Sequence, residues 1–326
     1  METFSPDDAL LKVKDLRVYY TAQSNPVRAV DGVTFNVKAG EIFSIVGESG
    51  CGKSTLANTL IGLLDPPAYL AGGEVILKGL NILDLDEEGI KKIRWKEISI
   101  LPQSAMNALN PVMKIYDQIK DTVAAHDSKI SDDDVKSKAE AITRKLMLPS
   151  YTFQSYPCQL SGGMRQRSLL LLSYIMDPSL VIIDEPTSAV DVVTQRKILE
   201  FLRLQRDESG TSVILITHDI AVTAQVANRM MVMYAGKVFE IGDVKDVFKE
   251  PLHPYSKALI DAVPLLGVKR EIKGLTGLPP DLRNPPSGCR FHPRCPNAMK
   301  ICEVEEPQMK EPKPNHLVAC HLYGEA

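Results

Sequence analysis

The sequence lacks a long apolar run. The longest one, residues 169–176, already contains Ser173 and is followed by Asp177 and Pro178. A helix that spans a bilayer needs about 20 mostly apolar residues, so we expect no membrane-spanning segment. Residues 1–8 also lack the basic region and apolar core of a secretory signal. We therefore expect a cytosolic protein, which leaves docking onto a membrane protein open.

An excess of basic charge is missing as well. Lys and Arg number 38 against 41 Asp and Glu, for a net charge of −3 and an isoelectric point near 6.1. A general basic surface is typical of nucleic-acid binding, so we expect no nucleic-acid partner. The 326 residues, 44% apolar and 24% charged, are enough for one large domain or two with a buried core.

Residues 47–55 match the phosphate-binding template G-x-x-x-x-G-K-[ST]. The mostly apolar residues 41–46 before them predict a buried strand, and residues 55–62 predict the start of a helix. The motif thus has its required context of strand, glycine turn and helix. The alternative is a glycine-rich turn with an unrelated lysine, which the motifs downstream make less attractive.

The chemistry of this loop follows from its residue types. Glycines allow backbone N–H groups to point inward and cradle phosphate oxygens, and the helix N-terminus adds partial positive charge. Lys53 reaches the β- and γ-phosphates and the Ser54 hydroxyl is a Mg²⁺ ligand. We expect the nucleotide to contact Gly47, Ser49, Gly50, Cys51, Gly52, Lys53, Ser54 and Thr55.

Polar side chains follow three predicted buried strands at their carboxyl ends, where ligands bind in open α/β sheets. Asp184 and Glu185 follow strand 180–183; beside a phosphate loop we expect Asp184 to hold Mg²⁺ and Glu185 to orient or deprotonate the attacking water. The alternative is a helix N-cap. Gln103 can reach a metal or water, or cap a loop. His218, after strand 212–216, is more often functional than structural at such a position.

The remaining pattern outlines the architecture. Residues 10–46 predict antiparallel strands around a polar loop at 21–26, and further strands are predicted at 73–77 and 98–101. A charged helical segment is predicted at 86–95. Residues 104–176 read as largely helical, with Ser131 capping a helix that ends at about Leu148. Ala235-Gly236 marks a hairpin, and rising proline content places a boundary near 245.

The octapeptide 160–167 places Ser161, Gly162 and Gly163 at the head of an apolar helix. A glycine-rich helix N-terminus is a second candidate anion site, because no side chains obstruct its backbone. Taken alone, the octapeptide is also an ordinary helix cap. Tyr19 and Tyr20, near the polar loop, could stack on a nucleobase, although pattern alone favours half-buried strand tyrosines.

Together, these motifs resemble the nucleotide-binding subunits of ABC transporters over most of residues 10–245. The resemblance rests on the phosphate loop, Gln103, the signature 160–167, the acidic strand end, the turn 188–191 and His218, all in the family's order. Val190 departs from the family's usual leucine. Tyr20 matches the base-stacking aromatic of the family, which overrides the pattern-only interpretation.

The C-terminal tail, residues 246–326, narrows this resemblance to one group of ABC ATPases. Asn110-Pro111, the segment 253–259 and the segment 289–295 look like the ATPases of dipeptide and oligopeptide importers, some of which carry an iron–sulfur cluster. A [4Fe–4S] cluster is favoured here over zinc, because the spacing lacks the C-x2-C pairing usual for zinc. His292, His316 and His321 keep zinc open, and unligated structural cysteines are the other alternative. The expected cluster ligands are Cys289, Cys295, Cys302 and Cys320.

The resemblance implies an α/β P-loop NTPase core with an antiparallel β subdomain, a helical subdomain at about 104–176 and a Cys-rich extension. The nucleotide-binding domain would cover 1–245 and the extension 246–326. Each ATP would lie between the phosphate loop of one subunit and the signature segment of the other, a second, related ATPase. In this chain the signature contacts are Ser161, Gly162, Gly163 and Gln166. Hydrolysis, with Glu185, Gln103 and His218 as catalytic residues and Mg²⁺ on Ser54, Gln103 and Asp184, would drive transport.

The implied partners are two membrane permease subunits and an extracytoplasmic substrate-binding protein, with this chain peripheral on the cytoplasmic face of the membrane. The implied cargo is a di- or oligopeptide; an oligosaccharide importer of the same family is the alternative. A soluble ABC ATPase of the repair or translation type should carry two cassettes or a long coiled-coil insertion, and this sequence has neither. A non-catalytic nucleotide-binding regulator is disfavoured by Glu185 and His218.

Overall fold

The computed structural model describes residues 9–103, 108–127, 129–188, 190–263 and 275–324. Two compact units are present. The helical unit contains Lys38–Glu41 and Asp84–Leu215, and the sheet unit contains Ala9–Val37, Ile42–Leu83 and the described part of 216–326.

The helical unit is built on a short parallel pair of strands. Strand β6 (Ile98–Leu101) pairs with β7 (Leu180–Asp184), so that Ile98 lies opposite Leu180 and Leu101 opposite Ile183. Strand β8 (Ser212–Thr217) follows on the other side of β7. Both β7 and β8 are buried throughout, as their continuous apolar sequences predict. The helices are α2 (Glu87–Ile93), α3 (Ile115–His126), α4 (Asp132–Lys145), α5 (Gly162–Tyr174) and α6 (Val192–Ser209).

The sheet unit contains two groups of strands. A four-stranded sheet has the order β2-β1-β4-β5. Its strands are β1 (Ala9–Tyr20), β2 (Val27–Lys38), β4 (Ala68–Leu77) and β5 (Leu80–Asn81). The alternating burial along β1 and β2 agrees with the alternating sequence, and the loop between them lies at 21–26 as predicted.

Five further strands of the sheet unit are neighbours in the order β11-β12-β10-β9-β3, with β3 and β9 parallel and the other pairs antiparallel. They are β3 (Ile42–Val46), β9 (Arg229–Tyr234), β10 (Lys237–Asp243), β11 (Met309–Lys313) and β12 (His316–Ala319). The helices here are α1 (Lys53–Leu60), α7 (Ile220–Val226), α8 (Val244–Lys249), α9 (Pro254–Asp261) and α10 (Lys300–Val304).

Two element boundaries differ from the sequence prediction by three residues or more. Helix α4 ends at Lys145 rather than near Leu148, because Met147 takes a left-handed conformation with φ 51° and Pro149 disfavours helix at the residue before it. Strand β4 begins at Ala68 rather than Gly73. Its first residues are mostly exposed, and they are held by backbone pairing with β1, where Ala68 lies opposite Tyr20.

The core of the sheet unit extends into the tail. Phe291 and the thiol residues Cys289 and Cys302 are buried in the same cluster as Tyr234 and Tyr255. The tail is thereby tied to the strand β9 that pairs with β3. Across the part of the chain that the structure describes, none of the helices has the length and apolar character needed to cross a membrane.

Candidate functional site

The phosphate loop 47–55 connects β3 to α1 within the sheet unit. Gly52 precedes α1 in a left-handed conformation with φ 106°, and a Cβ atom there would lie 2.0 Å from the carbonyl oxygen of Ala29. At Gly47 a Cβ atom would lie 2.1 Å from the carbonyl oxygen of Met233. Both positions therefore require glycine, and the loop is packed directly onto β2 and β9.

Lys53 is the first residue of α1, and its side chain turns back under the loop. Its Nζ donates to the carbonyl oxygens of Gly47 at 2.7 Å and Glu48 at 3.0 Å. The side chain is buried, which places a positive charge against the backbone of the phosphate loop. Burial raises the pKa of the neighbouring Cys51 thiol, with Lys53 opposing that shift. The loop thus holds beside its backbone the positive charge that a polyphosphate site requires.

Tyr20, at the end of β1, is joined to this loop. Its hydroxyl lies 2.9 Å from the Thr55 hydroxyl, with either oxygen able to donate. The neighbouring Tyr19 instead donates to Asp31 Oδ1 at 2.7 Å, and burial together with that carboxylate raises the pKa of Tyr19 to about 12. The structure thus gives the two adjacent tyrosines different partners and leaves Tyr20 as the one beside the phosphate loop.

In the helical unit, Asp184 and Glu185 stand at the carboxyl end of β7. Asp184 is buried, and Glu185 adopts a left-handed backbone with φ 52°, which is uncommon for a residue other than glycine. Gln103 Nε2 donates to Glu185 Oε2 at 2.9 Å, and Ser188 Oγ donates to the same oxygen at 2.9 Å. Two of the predicted site residues, Gln103 and Glu185, are therefore in direct contact.

The signature octapeptide forms the start of α5. Ser161 is its N-cap and accepts a hydrogen bond from the Met164 N–H, so the helix-cap interpretation holds without excluding anion binding. A Cβ atom on Gly163 would lie 2.9 Å from Thr194 Oγ1, which shows how closely α5 approaches the start of α6. Asp191 caps α6 and accepts from the N–H groups of Val193 and Thr194.

His218 follows β8 and is exposed. The next residue, Asp219, caps α7 by accepting from the Ala221 and Val222 N–H groups. The strand end is thus fixed by the cap of the following helix, and the imidazole is presented to solvent. Its role as a catalytic residue stays a prediction.

The four tail cysteines are thiols close enough to influence one another. The Cys289 N–H donates to the Cys302 carbonyl at 2.8 Å. Burial raises the pKa of Cys289 to about 11, and the charges of Cys295, Cys302 and Cys320 act in the same direction. None of the chain's six cysteines, which all fall in the described ranges, forms a disulfide.

The sequence predicts a metal site in the same tail, and the placement of the described side chains can be compared with that prediction. Among the residues described, no group of three or more His, Cys, Asp or Glu side chains is arranged to hold a metal ion. The histidines considered as zinc ligands have other partners. His316 Nε2 lies 2.6 Å from Glu240 Oε1, His292 Nδ1 lies 2.9 Å from the Cys289 carbonyl, and His321 Nε2 lies 2.9 Å from the Glu305 carbonyl.

Comparison with known proteins decides the family. Residues 30–188 match the family described as ABC transporter. The dipeptide transport ATP-binding protein DppD of Caldanaerobacter subterraneus is 42% identical over 318 residues, which are 97% of this chain and 98% of that protein. The chain belongs to the ABC transporter family.

Other ABC relatives are similar over comparable lengths. DppD of Bacillus subtilis is 41% identical over 97% of this chain and 95% of its own length. The oligopeptide transport ATP-binding protein OppD of Escherichia coli is 41% identical over 96% of this chain and 93% of its own length. Residues 239–302 match the family described as Oligopeptide/dipeptide transporter, C-terminal region.

A solved ABC structure agrees with the fold. The ATP-binding cassette MJ0796, as a dimer in a post-hydrolysis state bound to ADP and Pi, aligns with a TM-score of 0.65 and 28% identity. The alignment covers 72% of this chain and 98% of that cassette. The predicted P-loop ATPase fold is therefore confirmed, and the remaining quarter of the chain lies outside the part shared with that cassette.

Two contacts in this ABC protein were missed by sequence reasoning. Ser188 donates to Glu185, although it had been noted only as part of a turn. Arg294, in the tail, donates through both terminal guanidinium nitrogens to the carboxylate of Glu48 in the phosphate loop. The contact between Ser188 and Glu185 could have been suspected, because these residues are only three positions apart. The contact between Arg294 and Glu48 joins residues 246 positions apart, so no local sequence pattern predicts it.

Proposed function

We propose that this chain is the ATP-hydrolysing subunit of an importer for di- and oligopeptides. The observation that carries the proposal is the phosphate loop, with Lys53 buried beneath it and glycine required at Gly47 and Gly52. Full-length similarity to dipeptide and oligopeptide transport ATP-binding proteins supports the cargo. We place the nucleotide-binding domain at 1–245 and the tail domain at 246–326.

The phosphate groups of ATP are held by the loop amides and by Lys53, which exchanges its carbonyl partners for phosphate oxygens. The remaining loop contacts come from Ser49, Gly50, Cys51 and Thr55, and Tyr20 stacks on the base. Ser54, Gln103 and Asp184 would hold Mg²⁺; when bound, the ion neutralises charge on the β- and γ-phosphate oxygens. The buried carboxylate of Asp184 suits a divalent cation, because carboxylate and hydroxyl oxygens are ligands that Mg²⁺ prefers.

Glu185 accepts the proton of the attacking water as that water bonds to the γ-phosphorus and the bond to ADP breaks. Gln103 and Ser188 both donate to Glu185 Oε2, which fixes the orientation of the carboxylate that receives the proton. His218 contributes a further polar contact to the γ-phosphate. These roles follow the order of motifs in the ABC family. In that family the phosphate loop and the polar residues that follow the buried strands act on one nucleotide.

The second half of each ATP site comes from a second ABC ATPase, which we propose to be a different, related chain. Its Ser161, Gly162, Gly163 and Gln166 counterparts contact the γ-phosphate, so closure of the pair depends on ATP and hydrolysis reopens it. Two permease subunits and an extracytoplasmic binding protein complete the importer. This chain is then peripheral on the cytoplasmic face of the membrane and makes no use of nucleic acid.

Uptake by the reconstituted importer tests the cargo. With the permease subunits in liposomes and the binding protein outside, we expect MgATP inside to drive accumulation of labelled di- or oligopeptides. The matched comparison is a labelled oligosaccharide under the same conditions. Accumulation of the oligosaccharide without the peptide would assign the chain to the alternative importer, and no dependence of ATP turnover on either would refute the importer role.

We also propose that Cys289, Cys295, Cys302 and Cys320 bind a [4Fe–4S] cluster in a structural role, with zinc as the alternative. Four thiols suit iron–sulfur chemistry, and the partners of the three histidines favour an all-cysteine set. As placed, the described residues form no metal-holding group, so binding requires the thiols to move together and deprotonate.

Elemental analysis of anaerobically purified protein decides between these metals. We expect about four iron atoms per chain, brown colour and visible absorbance typical of iron–sulfur charge transfer. A Cys302→Ser variant should lose the iron, whereas Cys158→Ser, which changes a cysteine outside the tail, should retain it. Stoichiometric zinc without iron would establish the alternative, and neither metal would leave the cysteines structural.

A further inference from the structure

The phosphate loop carries an acidic residue at its second position. Glu48 follows Gly47 directly, and its side chain is 25% exposed. A carboxylate beside bound polyphosphate is repulsive unless a cation neutralises it and holds it aside. A loop that binds anions therefore needs a positive charge that compensates the Glu48 carboxylate.

The neutralising cation comes from the tail. Arg294 Nη1 donates to Glu48 Oε2 at 2.7 Å, and Nη2 donates to Oε1 at 3.0 Å, which is the two-pronged arrangement of a strong arginine–carboxylate pair. The Arg294 side chain is 6% exposed. Its Nε donates to the Thr276 carbonyl at 2.9 Å, and its guanidinium lies 5.6 Å from the centre of the Tyr234 ring.

Other contacts fix the same end of the loop. The Tyr255 hydroxyl accepts a hydrogen bond from the Glu48 N–H at 3.0 Å. Arg290, four residues before Arg294, is buried and bonds to the Ala235 carbonyl and to Asp31. Gly236, which follows Ala235, donates its N–H to the Cys51 carbonyl at 2.9 Å. Both arginines of the interval 289–295 thus face the loop or the hairpin beneath it.

We propose that Arg294 is a positioning residue for ATP binding: it holds the Glu48 carboxylate turned away from the phosphates and thereby sets nucleotide affinity. The inference rests on the proposed function, since it concerns ATP bound at 47–55. It gives the tail a part in that reaction, because removing Arg294 leaves an uncompensated charge at the loop. Arg294 touches no reacting atom, so its effect falls on binding rather than on the chemical step.

A double-mutant cycle tests this in the full chain by equilibrium titration with MgATP. We expect Arg294→Ala to weaken binding by about tenfold, because truncating one partner of a largely buried ion pair leaves the other charge unpaired. Glu48→Gln should bind almost normally, since the amide keeps the shape without the charge. The double variant should recover most of the affinity lost in Arg294→Ala, which a purely structural role for Arg294 would not allow.

The second measurement is steady-state ATP hydrolysis by the assembled importer. Arg294→Ala should raise KM for ATP by about the same factor with little change in kcat. The matched control is Arg283→Ala, which removes a half-exposed arginine paired with Asp281 in the same tail; it should change neither constant. Arg294→Gln also removes the charge but keeps a polar side chain, and it replaces the alanine variant in every comparison if that variant does not fold.

The outcomes separate this inference from the proposed function. If the wild-type chain fails to bind MgATP, the proposed function and this inference both fall. If it binds and Arg294→Ala binds within about twofold of it, Arg294 has no positioning role. A double variant as weak as Arg294→Ala also contradicts the inference, because the loss would then not pass through Glu48.

Discussion

The Glu185→Gln variant should bind MgATP and hydrolyse it at least about a hundredfold more slowly than the wild-type chain, since a positioned general base contributes about 10²–10⁴ in rate. The amide keeps the acceptor oxygen for Gln103 and Ser188, so the local structure persists. Only the ability to accept the proton of water is lost. Under the proposed mechanism hydrolysis reopens the ATPase pair, so the variant should accumulate as the closed, ATP-bound pair.

Phosphate release by the importer with its membrane subunits measures this loss, and size-exclusion chromatography with MgATP measures the dimer. The matched control is Glu200→Gln, which changes a half-exposed glutamate of α6 paired with Arg196 and should leave turnover unchanged. Near-normal turnover in Glu185→Gln would remove Glu185 from the catalytic role.

The Lys53→Ala variant should bind MgATP about a hundredfold more weakly and show no measurable turnover at ordinary nucleotide concentrations. A hydrogen bond to a charged group contributes about 1.5–3 kcal/mol, and each 1.4 kcal/mol is about a factor of ten in affinity. Lys53 is placed to make such bonds, since its Nζ already lies under the loop within 3.0 Å of two carbonyl oxygens.

Equilibrium titration of the full chain with MgATP checks the affinity, and the melting temperature without nucleotide checks folding. Lys249→Ala is the control, because Lys249 is exposed at the end of α8 and outside the loop. If Lys53→Ala bound ATP as tightly as the control, the phosphate loop would not be the nucleotide site.

Features set by neighbouring residues could be predicted from the sequence. The glycine spacing of 47–55 fixed the strand, loop and helix, because few residues tolerate the close approach seen at Gly52. Ser131 and the acidic residues after it located the start of α4, where Ser131 accepts from the Asp134 N–H. The hairpin at Ala235-Gly236 followed from turn chemistry, and both residues have positive φ.

Contacts between distant parts of the chain could not be predicted in the same way. His316 was considered as a zinc ligand because cysteines are near it in sequence, but its side chain is paired with the fully buried Glu240, 76 residues earlier. Burial of that kind depends on how β10 and β12 pair, which no local pattern specifies. The length of β4 also depended on its partner strand rather than on its own apolar residues.

The central claim is that one ATP is held at Lys53 and split by water at Glu185. The most direct test is an experimental structure of Glu185→Gln with MgATP and its partner subunits. The account predicts the β- and γ-phosphates on the loop 47–55, residue 185 beside the γ-phosphate, and the partner's signature segment opposite. A nucleotide bound elsewhere, or residue 185 remote from the γ-phosphate, would contradict it.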